Sequence, residues 1–250
     1  MNITVIKRND QADGQFNGGA ILEKRPVFYQ QDNTFPYSNL FYWAHAWSEE
    51  GSTIGLHPHQ GFEILSFVLN GEIEHYDTKN KTWLKLKSGD VQIIRSGNGI
   101  SHAEKLMPGS AIFQIWFDPD LEKSMRTPAT YNDYFSDTFP VLKENGFSTT
   151  VFKGDKAPLQ MEAEGVSIRQ IKMAAGVHEL RLTSNSIYSL FILDGSASIT
   201  GHQLAQYDFA KIENTDTITI ETESCSVFVI ETPAQPSYKT YVDRHHEGER

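Results

Sequence analysis

One cysteine, Cys225, is all the thiol chemistry in this 250-residue chain. A single thiol cannot close an intrachain disulfide, so nothing calls for an oxidising compartment. Cys225 lies in the alternating run Ser224-Cys225-Ser226-Val227-Phe228-Val229-Ile230, which reads as a small residue buried in a strand rather than a reactive group. Long apolar runs are also missing. None approaches the roughly 20 residues needed to cross a bilayer, and the opening MNITVIKRNDQADG has no apolar signal core. The expectation is a cytoplasmic protein with no membrane partner. Basic runs are missing too: 22 Lys and Arg stand against 32 Asp and Glu, a formal charge of −10. Such a surface repels polyanions, which excludes nucleic acid as a direct partner.

What is present is enough apolar material, 39%, to fill a core, and an aromatic share of 12% that suits strands better than helical bundles. Strands are expected at residues 40–47, 62–69, 72–76, 82–86, 91–95 and 110–117. Asn70-Gly71 marks a hairpin between the second and third of these. Asp118-Pro119 opens an irregular stretch with one helical turn at 120–125. Strands resume from Thr149, at 166–173, 186–193, 196–200, 208–212, 217–221 and 226–231. Leu193-Asp194-Gly195-Ser196 echoes Leu69-Asn70-Gly71-Glu72, as an internal duplication would. Short strands at this spacing indicate an all-β protein of sandwiches or small barrels, divided into residues 1–130 and 131–250. The segment 244–250, with His245 and His246, reads as a mobile polar tail rather than a site.

The chemistry concentrates in two short segments. His57 and His59 are two apart, so in an extended strand both imidazoles point to one face. Forty-five residues after His57, His102 and Glu104 repeat the spacing with an imidazole and a carboxylate. If the two strands face each other across a barrel, three nitrogens and one oxygen converge. That donor set suits Fe, Mn, Ni, Cu or Zn and leaves positions open. His45, on a Trp-rich strand, reads as a core residue; His75 either faces the cavity or packs elsewhere. His178 and His202 have no partner at strand spacing, and outside the polar segment 244–250 no second metal pair occurs in residues 131–250.

Residues 55–71 and 89–104 resemble the two cupin motifs. More narrowly, His57-Pro58-His59-Gln60-Gly61-Phe62-Glu63, residues 71–77, Gly97-Asn98-Gly99-Ile100-Ser101-His102-Ala103-Glu104 and Gln114-Ile115-Trp116 resemble the pirin family, over about residues 15–130. The resemblance implies two cupin barrels (double-stranded β-helix or jelly-roll; a bicupin). One divalent metal, Fe first with Mn, Ni, Cu or Zn as alternatives, would sit on His57, His59, His102 and Glu104 of the first. The second would be a degenerate cupin without metal. The resemblance also implies a quercetin 2,3-dioxygenase-like activity, cleaving a flavonol with dioxygen, with Glu104 as catalytic base as well as ligand and Phe67, Gln114 and Trp116 lining the pocket. Its alternative is a non-enzymatic, metal- or redox-sensitive regulatory partner of another protein. Glu63 is expected to orient an imidazole. Two departures bear on substrate and partner: Gln60 stands where many pirins have Arg, and the family's longer C-terminal end has no counterpart.

Overall fold

The computed structural model describes residues 1–30, 35–144 and 146–248. In chain order the strands are β1 (Asn2–Ile6), β2 (Ala12–Phe16), β3 (Ile21–Val27), β4 (Leu40–Ser48), β5 (Ser52–His59), β6 (Glu63–Asn70), β7 (Glu72–Asp77), β8 (Trp83–Lys87), β9 (Val91–Arg95), β10 (Ile100–Leu106) and β11 (Ser110–Phe117). A short helix α1 (Leu121–Ser124) follows, then β12 (Thr130–Tyr134), β13 (Val141–Glu144), β14 (Phe147–Lys153), β15 (Ser167–Arg181), β16 (Ser186–Ile199), β17 (His202–Leu204), β18 (Phe209–Glu213), β19 (Thr217–Pro233) and α2 (Tyr241–Gly248). The expected all-β class holds. Among the described residues no helix is long and apolar enough to cross a membrane.

The chain forms two compact units. One holds Ala12–Thr138, Met161–Ala163 and Tyr238–Arg250; the other holds Met1–Gln11, Phe139–Gln160 and Glu164–Ser237. The expected division at residue 130 is therefore crossed by the chain. β1 pairs with β18, from Asn2↔Glu213 to Ile6↔Phe209, so its backbone groups are satisfied in the sheet of the later residues. β12 pairs with β9 and extends the earlier unit past residue 130.

In the unit built on Ala12–Thr138, one sheet runs β12-β9-β6-β11-β4-β3-β2 and a second runs β5-β10-β7-β8. Ile21, Ala46, Val68 and Ile112 from the first sheet join Ile54, Ile73, Leu86 and Leu106 from the second in one buried cluster. Each large aliphatic side chain so buried contributes roughly 1.5–3 kcal/mol. Asn70-Gly71 does not close a hairpin: β6 and β7 lie in different sheets. Ser110 explains the difference. Its hydroxyl accepts the Glu72 N–H at 3.0 Å and donates to the Glu72 carbonyl at 2.7 Å, tying the turn to the start of β11. Gly71, at φ 72°, packs against Ser110 where a β-carbon would collide.

In the other unit a single sheet runs β1-β18-β16-β19-β15-β14-β13, with β17 paired to β16. Two pairs of expected strands are each one continuous strand, β16 and β19. The turn expected at Asp194-Gly195 is a bulge inside β16, where register shifts against β19 between Ile192 and Asp194 and again between Ser196 and Ser198. Bulges bend a strand without ending it. Both ends of β19, through Ile218 and Ile220 and through Val227 and Val229, enter one apolar cluster, which also buries Cys225 as expected.

The segment expected as a mobile tail is helical through α2. The Thr240 N–H and hydroxyl both donate to the Asp243 carboxylate at 2.8 Å, capping the first turn. Asp118 accepts the Tyr241 N–H at 2.5 Å. Glu249 and Arg250 lie outside the described residues.

Candidate metal centre

β5 and β10 are antiparallel neighbours in one sheet, with His57 directly opposite His102. They do not face each other across a barrel, and adjacency serves convergence better. The register then slips, so that Glu104 lies opposite Ile54: β5 spends three residues where β10 spends two. His59, two residues beyond His57, shares its face. The outcome is three imidazoles in mutual contact, with ring centroids 4.7, 4.5 and 4.7 Å apart for His57–His59, His57–His102 and His59–His102. One nitrogen from each lies within 4.8 Å of the other two.

The tautomers suit metal binding. His57 Nδ1 lies 2.8 Å from the Gly55 carbonyl, which accepts only from N–H, so Nε2 carries the free lone pair. Nε2 of His57 and Nε2 of His102 are 3.0 Å apart. Two nitrogens at right angles about an ion ~2.1 Å from each would be separated by about 3.0 Å. The Nε2 atom of His59 is buried with no hydrogen-bond partner among the described residues, an arrangement a buried ring nitrogen avoids unless something else fills its lone pair. Burial, reinforced by the neighbouring imidazoles, pushes His59 down to about 3 and His102 well below the ordinary histidine range. Those two rings are neutral at physiological pH, as ligation requires. The residues present fit a transition metal.

Glu104 sits two residues from His102 and is fully buried, but its carboxylate is not among the clustered ligand atoms. It accepts from Ser66 Oγ at 2.7 Å and from Gln114 Nε2. Ser66 and Gln114 lie opposite each other on β6 and β11, so a carboxylate from the four-stranded sheet is gripped by a donor pair from the seven-stranded one. Trp116 Nε1 donates to Gln114 Oε1 at 3.3 Å and extends the chain. His75 does face the interior. Its Nε2 is 3.3 Å from His102 Nδ1, and its ring stacks on Tyr131 with centroids 5.2 Å apart at 7°. With Nε2 of His102 as the ligand, its Nδ1–H donates to His75.

Beside His59 the wall is aromatic. Trp116 stands edge-on to it at 4.8 Å, Phe41 stacks on Phe62 at 4.5 Å, and Tyr241 of α2 meets Phe41 at 5.0 Å. Gln114 and Trp116 therefore stand at the site, as expected. Phe67 does not: it follows Ser66 in β6 and so points to the opposite face of the sheet. Glu63 does not orient an imidazole. Its carboxylate accepts the N–H groups of Glu162 at 2.8 Å and Ala163 at 2.9 Å, beside the Arg95 guanidinium at 3.6 Å, and so anchors residues 161–163. Burial raises it to about 7. Spacing alone missed Ser66 and Tyr131 and left His75 open. His75 carried the one available signal, a histidine on a strand whose neighbours Ile73 and Asp77 share its buried face. His45 is a buried core residue packed between Trp47 and Phe113.

Residues 21–117 match the family model described as Pirin. A pirin-like protein of Caulobacter vibrioides is 30% identical over 174 residues, 66% of this chain and 70% of that one. Quercetin 2,3-dioxygenase of Escherichia coli (strain K12) is 40% identical over 77 residues, 29% of this chain and 32% of that protein. Several other curated relatives are also matched over about half of their length or less. Among solved structures, a bacterial pirin from Escherichia coli in complex with nickel(II) aligns with a TM-score of 0.77 at 21% identity, covering 93% of this chain and 99% of that one. The bicupin fold is thereby shared.

Proposed function

This chain belongs to the pirin family, and from that premise we propose that it is a metal-dependent dioxygenase that opens the ring of quercetin-type flavonols with dioxygen. The observation that carries the reading is the cluster of His57, His59 and His102 beside an aromatic wall. It is supported by the neutral state of His59 and His102 and by the unfilled lone pair of His59. We assign the ligands as these three histidines with Glu104, in the unit built on Ala12–Thr138, and the unit carrying β13–β19 as the degenerate, metal-free cupin. Iron is the first candidate ion, ahead of Mn, Ni, Cu and Zn. When bound, such an ion supplies Lewis acidity and a template that orients oxygen donors.

The chain's own residues do the rest. Trp116, Phe62 and Phe41 offer ring faces and edges to a planar aromatic substrate. Glu104 takes the proton of the flavonol hydroxyl, and the two donors that grip it, Ser66 and Gln114, keep its carboxylate aimed. His75 fixes the His102 ring from behind, and Tyr131 fixes His75. The reaction consumes dioxygen and releases carbon monoxide and a ring-opened carboxylate. The test is to load the chain with Fe, Mn, Ni or Cu and follow the visible absorption of quercetin in air. Loss of absorption in proportion to bound metal, with carbon monoxide released, is expected. If no loaded form consumes quercetin, the dioxygenase reading fails and the regulatory one replaces it.

A further inference from the structure

The unit in which the described residues form no metal cluster has a cavity of its own. An open groove of about 760 Å³ is lined by residues of β13, β14 and β15, a volume within the range of small-molecule sites. Its floor is apolar, with Phe147, Val151, Ile171 and Leu180. Arg169 stands among them. It shares the face of β15 with Ile171 and Met173, both members of the buried apolar cluster, because residues two and four apart in that stretch of strand point the same way. An arginine on the core-facing side of a strand is costly unless something pairs with it, and a guanidinium cannot shed its proton to escape.

Arg169 is half-buried, and among the described residues nothing pairs with it. Nε of Arg169 is buried without a hydrogen-bond partner among the described residues, and no ion pair there involves its guanidinium. The acids that border the groove, Glu144, Asp155 and Glu179, are outnumbered by Arg169, Lys153, Lys156 and Arg181. A folded chain keeps such a group where its planar fork is used, and a fork beside an apolar floor matches a carboxylate on an apolar body.

We propose that this groove is a second ligand site, separate from the histidine cluster, that binds a small monocarboxylate with an aromatic or aliphatic body. The carboxylate takes the bidentate face of Arg169, and the body lies on Val151, Ile171 and Phe147. Lys153 and Arg181 add attraction from the rim.

The probe is benzoate, with benzamide as its neutral counterpart, titrated into the full-length chain. Side-chain NMR signals of Arg169 Nε and of the Val151, Ile171 and Leu180 methyl groups are the readout. Benzoate should shift these signals saturably, and benzamide should bind about tenfold or more weakly, the usual margin for a charge-assisted pair. Arg169→Met, which fills the same space without charge, should abolish the preference for benzoate while keeping the fold. Arg169→Lys should bind weakly, since it keeps charge but loses the fork. Equal binding of the two probes, unchanged benzoate binding in Arg169→Met, shifts confined to the histidine cluster, or a dimer formed along β13 in place of ligand binding would each overturn the proposal.

Discussion

The two units both bury an aliphatic cluster and differ in what is buried beside it. Beside its aliphatic cluster, the unit built on Ala12–Thr138 buries His75 bonded to His102, and Glu104 bonded to Ser66 and Gln114. The unit carrying β13–β19 buries Ile192, Ile199, Leu204, Ile212, Ile218, Ile220, Val227 and Val229 in the corresponding role. Apolar burial stabilises outright, whereas buried polar groups merely offset their own desolvation when every partner is present. Both units therefore gain stability from apolar burial, and the bonded polar groups around the histidine cluster are an addition in the first. Where β6 and β7 part at Asn70-Gly71 into separate sheets, β16 runs on through Gly195, so the first unit trades strand continuity for a polar space that a single sheet fills with aliphatic side chains.

That contrast can be broken at several points. The largest effect is expected from His57→Ala/His102→Ala: bound metal should be lost and quercetin turnover should fall to background, with little change in thermal stability after correction for lost metal. Next comes Glu104→Gln, which keeps size and a carbonyl oxygen but discards the base. Turnover per bound metal should fall about 10²–10⁴-fold, measured with metal content on the same preparation; unchanged turnover would reduce Glu104 to a ligand. In the other unit, Ile220→Ala should cost about 2–5 kcal/mol in a urea titration yet leave metal stoichiometry intact. Ser66→Ala removes one donor from Glu104 and should lower metal affinity or turnover about 10–100-fold.

The smallest effect concerns Glu63. Its folded value, about 7, lies above the ordinary 4.5 because burial outweighs its hydrogen bonds. Its contribution to stability is therefore full below about pH 4.5 and lost as pH rises through about 7. Against Glu63→Gln, the wild-type chain should lose about 1–3 kcal/mol across that window, read as a shift in urea midpoint. An identical pH profile in both proteins would remove Glu63 from the account.

The histidine cluster was partly legible because strand spacing alone aligns His57 with His59, and the same spacing put Glu104 on the face of His102, where its carboxylate lies outside the clustered nitrogens. Spacing did not reveal which strands are neighbours, so the pairing of β5 with β10, rather than across a barrel, emerged only from the register. Gln114 was legible as a site residue, but Ser66 was not: a lone serine in an apolar run gives no signal until a facing strand brings a carboxylate to it. Asn70-Gly71 and Asp194-Gly195 look alike in sequence, and tertiary partners decide between them, Ser110 making a corner of one and β19 making a bulge of the other. The pairing of β1 with β18 spans some two hundred residues, and no local pattern encodes it.

X-ray absorption spectroscopy on the iron-loaded chain tests the central claim most directly. About one ion per chain is expected, with three imidazole nitrogens near 2.0–2.2 Å and at least one oxygen in the same shell, and with the imidazole signature absent from His57→Ala/His102→Ala. An ion bound with fewer than two imidazoles, or an unchanged spectrum in that double variant, would contradict it.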